Sequence, residues 1–182
     1  MANSKALYFA AILPPAQISE KIYNLKLEFK ERFSASHALK LPAHLTLIPP
    51  AWLKNEEEKT FVNALETVIN KQASFFITLK DFGHFGQRAI FINAIDSRSI
   101  TELHQNLLQE LTEFLPIDNR NKLHPHLTLA TRDLTRENFR TAWEEFWNRK
   151  FDADFTATDL TLFKHNEKVW EVLKDIDFQG KG

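Results

Sequence analysis

Apolar and polar positions alternate along the chain in two distinct rhythms. Residues 6–13 (Ala-Leu-Tyr-Phe-Ala-Ala-Ile-Leu) form an unbroken apolar run halted by Pro14-Pro15, which fits a buried strand better than a helix. From residue 16 to 33 the rhythm changes. Ile18, Ile22, Leu25, Phe29 and Phe33 recur at three- and four-residue steps, while Glu20, Lys21, Lys26, Glu28 and Lys30 fill the opposite side of an amphipathic helix. Ser34-Ala35-Ser36-His37 breaks that helix, and a strand beginning at His44 is expected to end at Pro49-Pro50. Asn55 is the expected cap of a second helix through about residue 71, with Glu56, Glu57 and Glu58 in its first turn. Phe75–Phe82 and Ala89–Ile95 read as strands around a turn at Gly83-His84-Phe85-Gly86. Helices follow at 100–115 and 135–147, then strands at 151–164 and 168–178 across a turn at residues 165–167.

One phrase occurs twice within this pattern, His44-Leu45-Thr46-Leu47 and His126-Leu127-Thr128-Leu129. In an extended strand such a phrase sends His and Thr to one face and both leucines to the other. Shifting the chain by the 82 residues between the two copies also superposes Phe9 on Phe91, Ile18 on Ile100, Leu25 on Leu107, Lys40 on Lys122 and Leu41 on Leu123, without a gap. The reading is one bilobal domain over residues 1–182, with an internal repeat of 1–82 and 83–164 and a final strand at about 168–178.

Composition narrows the functional classes. The 182 residues, 43% hydrophobic and with 16 Phe, are enough for a packed core. A formal net charge of -1 gives no global basic field, so any phosphate recognition is local. The absence of cysteine removes thiolate catalysis, disulfides and Cys-ligated zinc together. No run reaches membrane-spanning length and no signal-peptide pattern opens the chain, so a cytoplasmic monomer with no membrane partner is expected.

Two facing strands, each offering an imidazole and a hydroxyl, can serve both sides of a phosphorus atom. One His acts on the attacking oxygen and the other on the leaving oxygen, and a pKa of about 6.5 lets one be neutral while the other is charged. The two Thr hydroxyls can donate to the nonbridging oxygens. A plain structural reading of the motifs as polar positions on sheet faces is the alternative. His124 and His126 form a His-x-His pair suited to a metal, but no matching pair accompanies the first motif and no acidic residue is near in sequence, so no metal is assigned. His84 and Phe85 are candidates for stacking on a base, or for simple packing in the turn.

The paired His-x-Thr motifs, the opening apolar strand followed by Pro-Pro, the Phe82-Gly83-His84-Phe85 stretch before an apolar strand, and Pro125 before the second motif resemble the two-histidine phosphoesterase superfamily, which includes 2'-5' RNA ligases and 2',3'-cyclic phosphodiesterases. The resemblance implies a bilobal α+β fold, with two mostly antiparallel sheets related by a pseudo-twofold axis about a central cleft and helices outside. It also implies metal-independent chemistry with no cofactor, on an RNA terminus or a small cyclic nucleotide. By motif match, His44 and His126 are the acid-base pair, and Thr46 and Thr128 hold the phosphate. Lys40, Lys122 and Arg132 are the further substrate-binding candidates, Lys40 and Lys122 lying four residues before each His, where solvated lead-in positions are the plainer reading. Ligase-like relatives carry an arginine directly after the second motif and one alanine, whereas this chain reads Ala130-Thr131-Arg132. On a continuing strand that offset turns Arg132 to the other face. The activity so implied is hydrolysis of a 2',3'-cyclic phosphate, with 2'-phosphate as product. ATP-independent 2'-5' ligation by the same residues and catalytically silent binding of an RNA end are the alternatives.

Overall fold

The computed structural model describes residues 4–95, 98–115 and 123–180. Its strands are β1 (Lys5–Ile12), β2 (Leu45–Lys54), β3 (Phe75–Phe85), β4 (Ala89–Ile95), β5 (His126–Ala130), β6 (Asp152–Ala157), β7 (Asp159–His165) and β8 (Trp170–Asp177). The helices are α1 (Ala16–Phe33), α2 (Glu58–Ile69), α3 (Arg98–Glu110) and α4 (Arg136–Phe146). Every strand pairing is antiparallel, in the order β6-β3-β4-β5-β2-β1-β7-β8. The fold is α+β, and the two expected sheets are joined into one open sheet by a single pair, Leu45 with Leu127. Among the described residues no helix is long and apolar enough to cross a membrane.

Under the 82-residue shift, β1, β2 and β3 correspond to β4, β5 and β7. The order β3-β4-β5-β2-β1-β7 then reads the same from either end. The third strand of each half is exchanged, because β3 pairs with β4 and β7 with β1. The halves of the sheet are therefore not the consecutive segments 1–82 and 83–164. The gapless superposition also slips. Ile12 faces Leu45 and Ala11 faces Thr46, whereas Ile92 faces Leu127 and Phe91 faces Thr128, an offset of 80 rather than 82 in the first strand. A two-residue slip preserves the face of every side chain, so the hydrophobic pattern could not reveal it.

Apolar burial explains the elements. All four helices pack one face of the sheet, where Tyr8, Ala10 and Ile12 of β1 meet Ile18, Ile22, Leu25, Phe29 and Phe33 of α1 in one continuous core. Each large apolar side chain so buried contributes about 1.5–3 kcal/mol. Phe9, Ala11 and Phe163 form a second small cluster on the opposite face. β1 is thus covered on both sides, which is why its sequence does not alternate.

Several expected boundaries move. β2 does not end at Pro49-Pro50 but runs on to Lys54, because β2 itself bulges there, its residues 46–51 facing only residues 8–11 of β1, and the bulge accommodates residues without an N–H. Asn55 does not cap α2. Its amide donates to Ser4 Oγ at 2.7 Å, while Glu57 accepts from the Lys54 backbone N–H at 2.8 Å. Gly83, His84 and Phe85 are paired residues of β3 rather than a turn, which falls at residues 86–88. The expected strand 151–164 is two strands broken at Thr158. Lys26, assigned to the solvent side of α1, is 2% exposed.

Candidate active site

The Leu45–Leu127 pair sets the geometry of both motifs. Cross-strand partners share a face, and both leucines are fully buried in the helix-side core. His44, Thr46, His126 and Thr128 therefore project together from the other face. Antiparallel continuation sets each His beside the other motif's Thr, with the two imidazoles on a diagonal of about 7–8 Å or more.

The two rings are held in the same way. His44 Nδ1 lies 2.8 Å from the carbonyl of Pro42, and His126 Nδ1 lies 2.6 Å from the carbonyl of His124. A carbonyl only accepts, so each Nδ1 carries the proton and donates it, leaving Nε2 for chemistry. A phenylalanine lies against each ring, Phe9 at 5.4 Å from His44 and Phe91 at 4.8 Å from His126. Burial pushes the His44 pKa down to about 4, opposed by the Pro42 hydrogen bond and assisted by the charges of Lys26 and His126. The His126 pKa is lowered chiefly by burial as well, with repulsion from His124 adding to it.

Gly83 belongs to this construction. A Cβ there would come within 2.5 Å of Phe91 Cε2 and 2.9 Å of Asn93 Oδ1, so only glycine lets the Phe91 ring lie over β3. Phe85, read as a candidate for base stacking, instead packs on Phe91 at 4.4 Å and on His126 at 4.9 Å. His84 turns away toward Phe139 and Trp143 of α4.

A cleft of about 600 Å³ opens over the first motif, lined by His44, Thr46 and Thr128, while His126, half-buried, stands beside it flanked by Phe85, Phe91 and His124. Among the described residues four cations, Lys26, Lys40, Arg132 and Lys168, line it, and no carboxylate does. The chain as a whole is near neutral, yet this concavity is locally cationic. Lys40 lies in the cleft lining, while Lys122 lies outside the described residues.

Arg132 also lines the cleft, against the reversal expected of a continuing strand. β5 ends at Ala130, and Arg132 adopts φ 60°, a left-handed conformation that turns the chain back toward the opening. The next residue pins this loop to the other half of the sheet. Asp133 Oδ2 accepts from the backbone N–H groups of Ser36 and His37, both at 2.8 Å.

Lys26 is a site residue that the periodicity of α1 concealed. Its Nζ donates to the carbonyls of Ala38 (3.0 Å), Leu41 (3.0 Å) and Pro42 (3.2 Å), in the segment leading into the first motif. Pro42 is the carbonyl that also holds His44. Burial pushes the Lys26 pKa down to about 8, so it stays charged near neutrality. Its signal in the sequence is faint, a lysine flanked by Leu25 and Leu27 on a helix rich in other cations. His37, His165 and Trp170 of the cleft lining were likewise unassigned from sequence.

Among the described residues no three His, Asp or Glu side chains come together as a metal-binding group. His124 Nε2 instead lies 3.4 Å from Asn93 Oδ1.

Solved structures share this architecture. Escherichia coli LigT complexed with 3'-AMP superposes with a TM-score of 0.71 at 21% identity, over 96% of this chain and 99% of LigT. The Thermus thermophilus protein TT0787 superposes with a TM-score of 0.68 at 17% identity, over 97% and 100%. A Bacillus cytotoxicus protein named as a candidate phosphoesterase is 27% identical over 127 residues, which are 66% of this chain and 67% of that protein. The family model of the 2'-5' RNA ligase superfamily matches residues 14–169, which include both His-x-Thr strands and the loops that line the cleft. The chain belongs to the 2'-5' RNA ligase superfamily, a group of phosphoesterases and ligases of which LigT-like proteins are part.

Proposed function

We propose that the protein is a metal-independent phosphodiesterase that opens a 2',3'-cyclic phosphate, on an RNA end or a small nucleotide, to a 2'-phosphate. The observation that carries this reading is the coplacement of two His-x-Thr units on one sheet face, each Nδ1 locked to the carbonyl two residues before it. In the proposed reaction His44, neutral through the working pH range, takes a proton from water at Nε2 as the water oxygen bonds to phosphorus. The bond from phosphorus to the ribose 3' oxygen breaks, and His126, protonated in the field of the anionic phosphate, gives that oxygen its proton. Thr46 and Thr128 donate to the nonbridging oxygens, while Lys40 and Arg132 supply positive charge from the cleft lining. That LigT is known in complex with 3'-AMP supports a nucleotide in such a cleft.

The family description favours a second reading in which a 5'-hydroxyl replaces water and the same residues join two RNA ends without ATP. Phosphorus NMR of the products from 2',3'-cyclic nucleotides and cyclic-phosphate oligonucleotides, with and without a 5'-hydroxyl acceptor, separates the two. His44→Ala and His126→Ala are each expected to lower turnover by roughly 10²-fold or more, with wild-type activity unaffected by EDTA. Turnover that survives both substitutions sinks the assignment. Binding of the oligonucleotide without turnover would leave a silent RNA-end binder.

A further inference from the structure

The face that carries His44 and Thr46 continues well past them. β2 runs through its two prolines, and Trp52 pairs with Leu7 of β1, Leu7 with His165 of β7, and His165 with Trp170 of β8. Directly paired residues share a face, so Trp52, Leu7, His165 and Trp170 form one row across the sheet. Leu7, His165 and Trp170 already line the cleft that holds His44, as does Pro50 on β2 itself. Trp52 is thus the end of that row, with 66% of its surface exposed. An indole open to water on the same face as the cleft is accessible to whatever the cleft binds. The other highly exposed tryptophan, Trp147, lies at the C-terminus of α4 and lines no part of the cleft.

We propose that Trp52 is a stacking platform for a second nucleobase, so that the substrate class is the single-stranded 3' end of an oligoribonucleotide rather than a mononucleotide. This inference rests on the proposed cyclic-phosphate chemistry. Trp52 stands six residues beyond Thr46, but the bulges bring their partners Leu7 and Ala11 only four residues apart on β1, so the two lie roughly 13 Å apart along the sheet. That is past the reach of a single nucleoside whose phosphate lies between the two histidines. The indole has the flat apolar face that any base can stack on, and the cations of the cleft lining match a phosphodiester backbone. Beyond Trp52 the strand pair ends with Lys5 opposite Lys54. Lys54 faces Glu56 and Glu57 at 3.8 Å, whereas Lys5 is exposed. An aromatic residue between a cationic cleft and a further cation suits a charged single strand, not an apolar peptide or a lipid surface.

The test compares kcat/KM for a 2',3'-cyclic mononucleotide with that for a trinucleotide ending in the same cyclic phosphate, in the wild type, Trp52→Ala and Trp52→Phe. Trp52→Ala is expected to lower the trinucleotide value by roughly 5- to 100-fold, the loss of one base–aromatic stack, and to leave the mononucleotide value unchanged. Trp52→Phe should recover most of the loss. Equal effects on both substrates, no effect on either, or a change of oligomeric state caused by Trp52→Ala would overturn the proposal. If the wild type hydrolyses neither substrate, the chemistry has failed, and titration with a 3'-phosphorylated trinucleotide then judges the platform alone. A similar weakening by Trp52→Ala upholds it, and equal affinity for both proteins refutes it.

Discussion

Replacing Lys26 with methionine keeps the aliphatic stem and removes the ammonium that joins three carbonyls beneath the first motif. Each hydrogen bond from a charged donor is worth about 1.5–3 kcal/mol, so the three together contribute roughly 4–9 kcal/mol. Against this stands the burial of the charge. A pKa pushed from 10.5 down to about 8 corresponds to about 3 kcal/mol disfavouring the ammonium. The variant should therefore lose roughly 1–6 kcal/mol of stability, read as a lowered midpoint in urea with an unchanged slope. Catalysis should suffer separately. Pro42 holds both Lys26 and His44, so a loosened Pro42 carbonyl misplaces the imidazole, and kcat for cyclic-phosphate opening should fall about 10-fold or more, with KM changed much less. Removal of the nearby positive charge should also raise the His44 pKa and move the acidic limb of the pH profile upward. A Lys26→Met protein with wild-type stability, kcat and pH profile would refute the role given to this lysine.

The second motif and the burial of the first can be probed in the same way. Gly83→Ala should force the Phe91 ring off β3 and disturb the aromatic contact beneath His126, at a cost of about 1–3 kcal/mol and with reduced turnover; unchanged melting and activity would show that the ring yields freely. As pH falls from about 6.5 toward 4, His44 takes up a proton in the unfolded chain but not in the folded one, so stability should drop by roughly 3 kcal/mol over that window and level off below it. Urea unfolding across this range checks it, and His44→Gln should show a shallower dependence than the wild type.

The sequence by itself determined that the His and Thr of each repeated phrase share a face. His and Thr two residues apart with leucines between them have only one arrangement on a strand, and a shared tetrapeptide made both copies visible. It also located the helices, because their apolar spacing is long and regular. It determined less where the signal depends on what lies across the sheet. Proline, which reads locally as a stop, is tolerated within β2 because β2 bulges at that point, so Trp52 could not be seen to share the cleft face. Lys26 follows the same helical spacing as a solvated lysine, and only the packing of α1 under residues 38–42 makes it a buried donor. A continuing β5 would turn Arg132 to the far face, whereas the strand ends at Ala130 and the left-handed φ of Arg132 lets it line the cleft. The exchange of β3 and β7 between the halves of the sheet is likewise a matter of pairing. Alternation along a strand records which face is buried, whereas neighbour and register are fixed by contacts between segments far apart in the chain. Those contacts decided that two identical phrases, 82 residues apart, stand on one face of a single sheet.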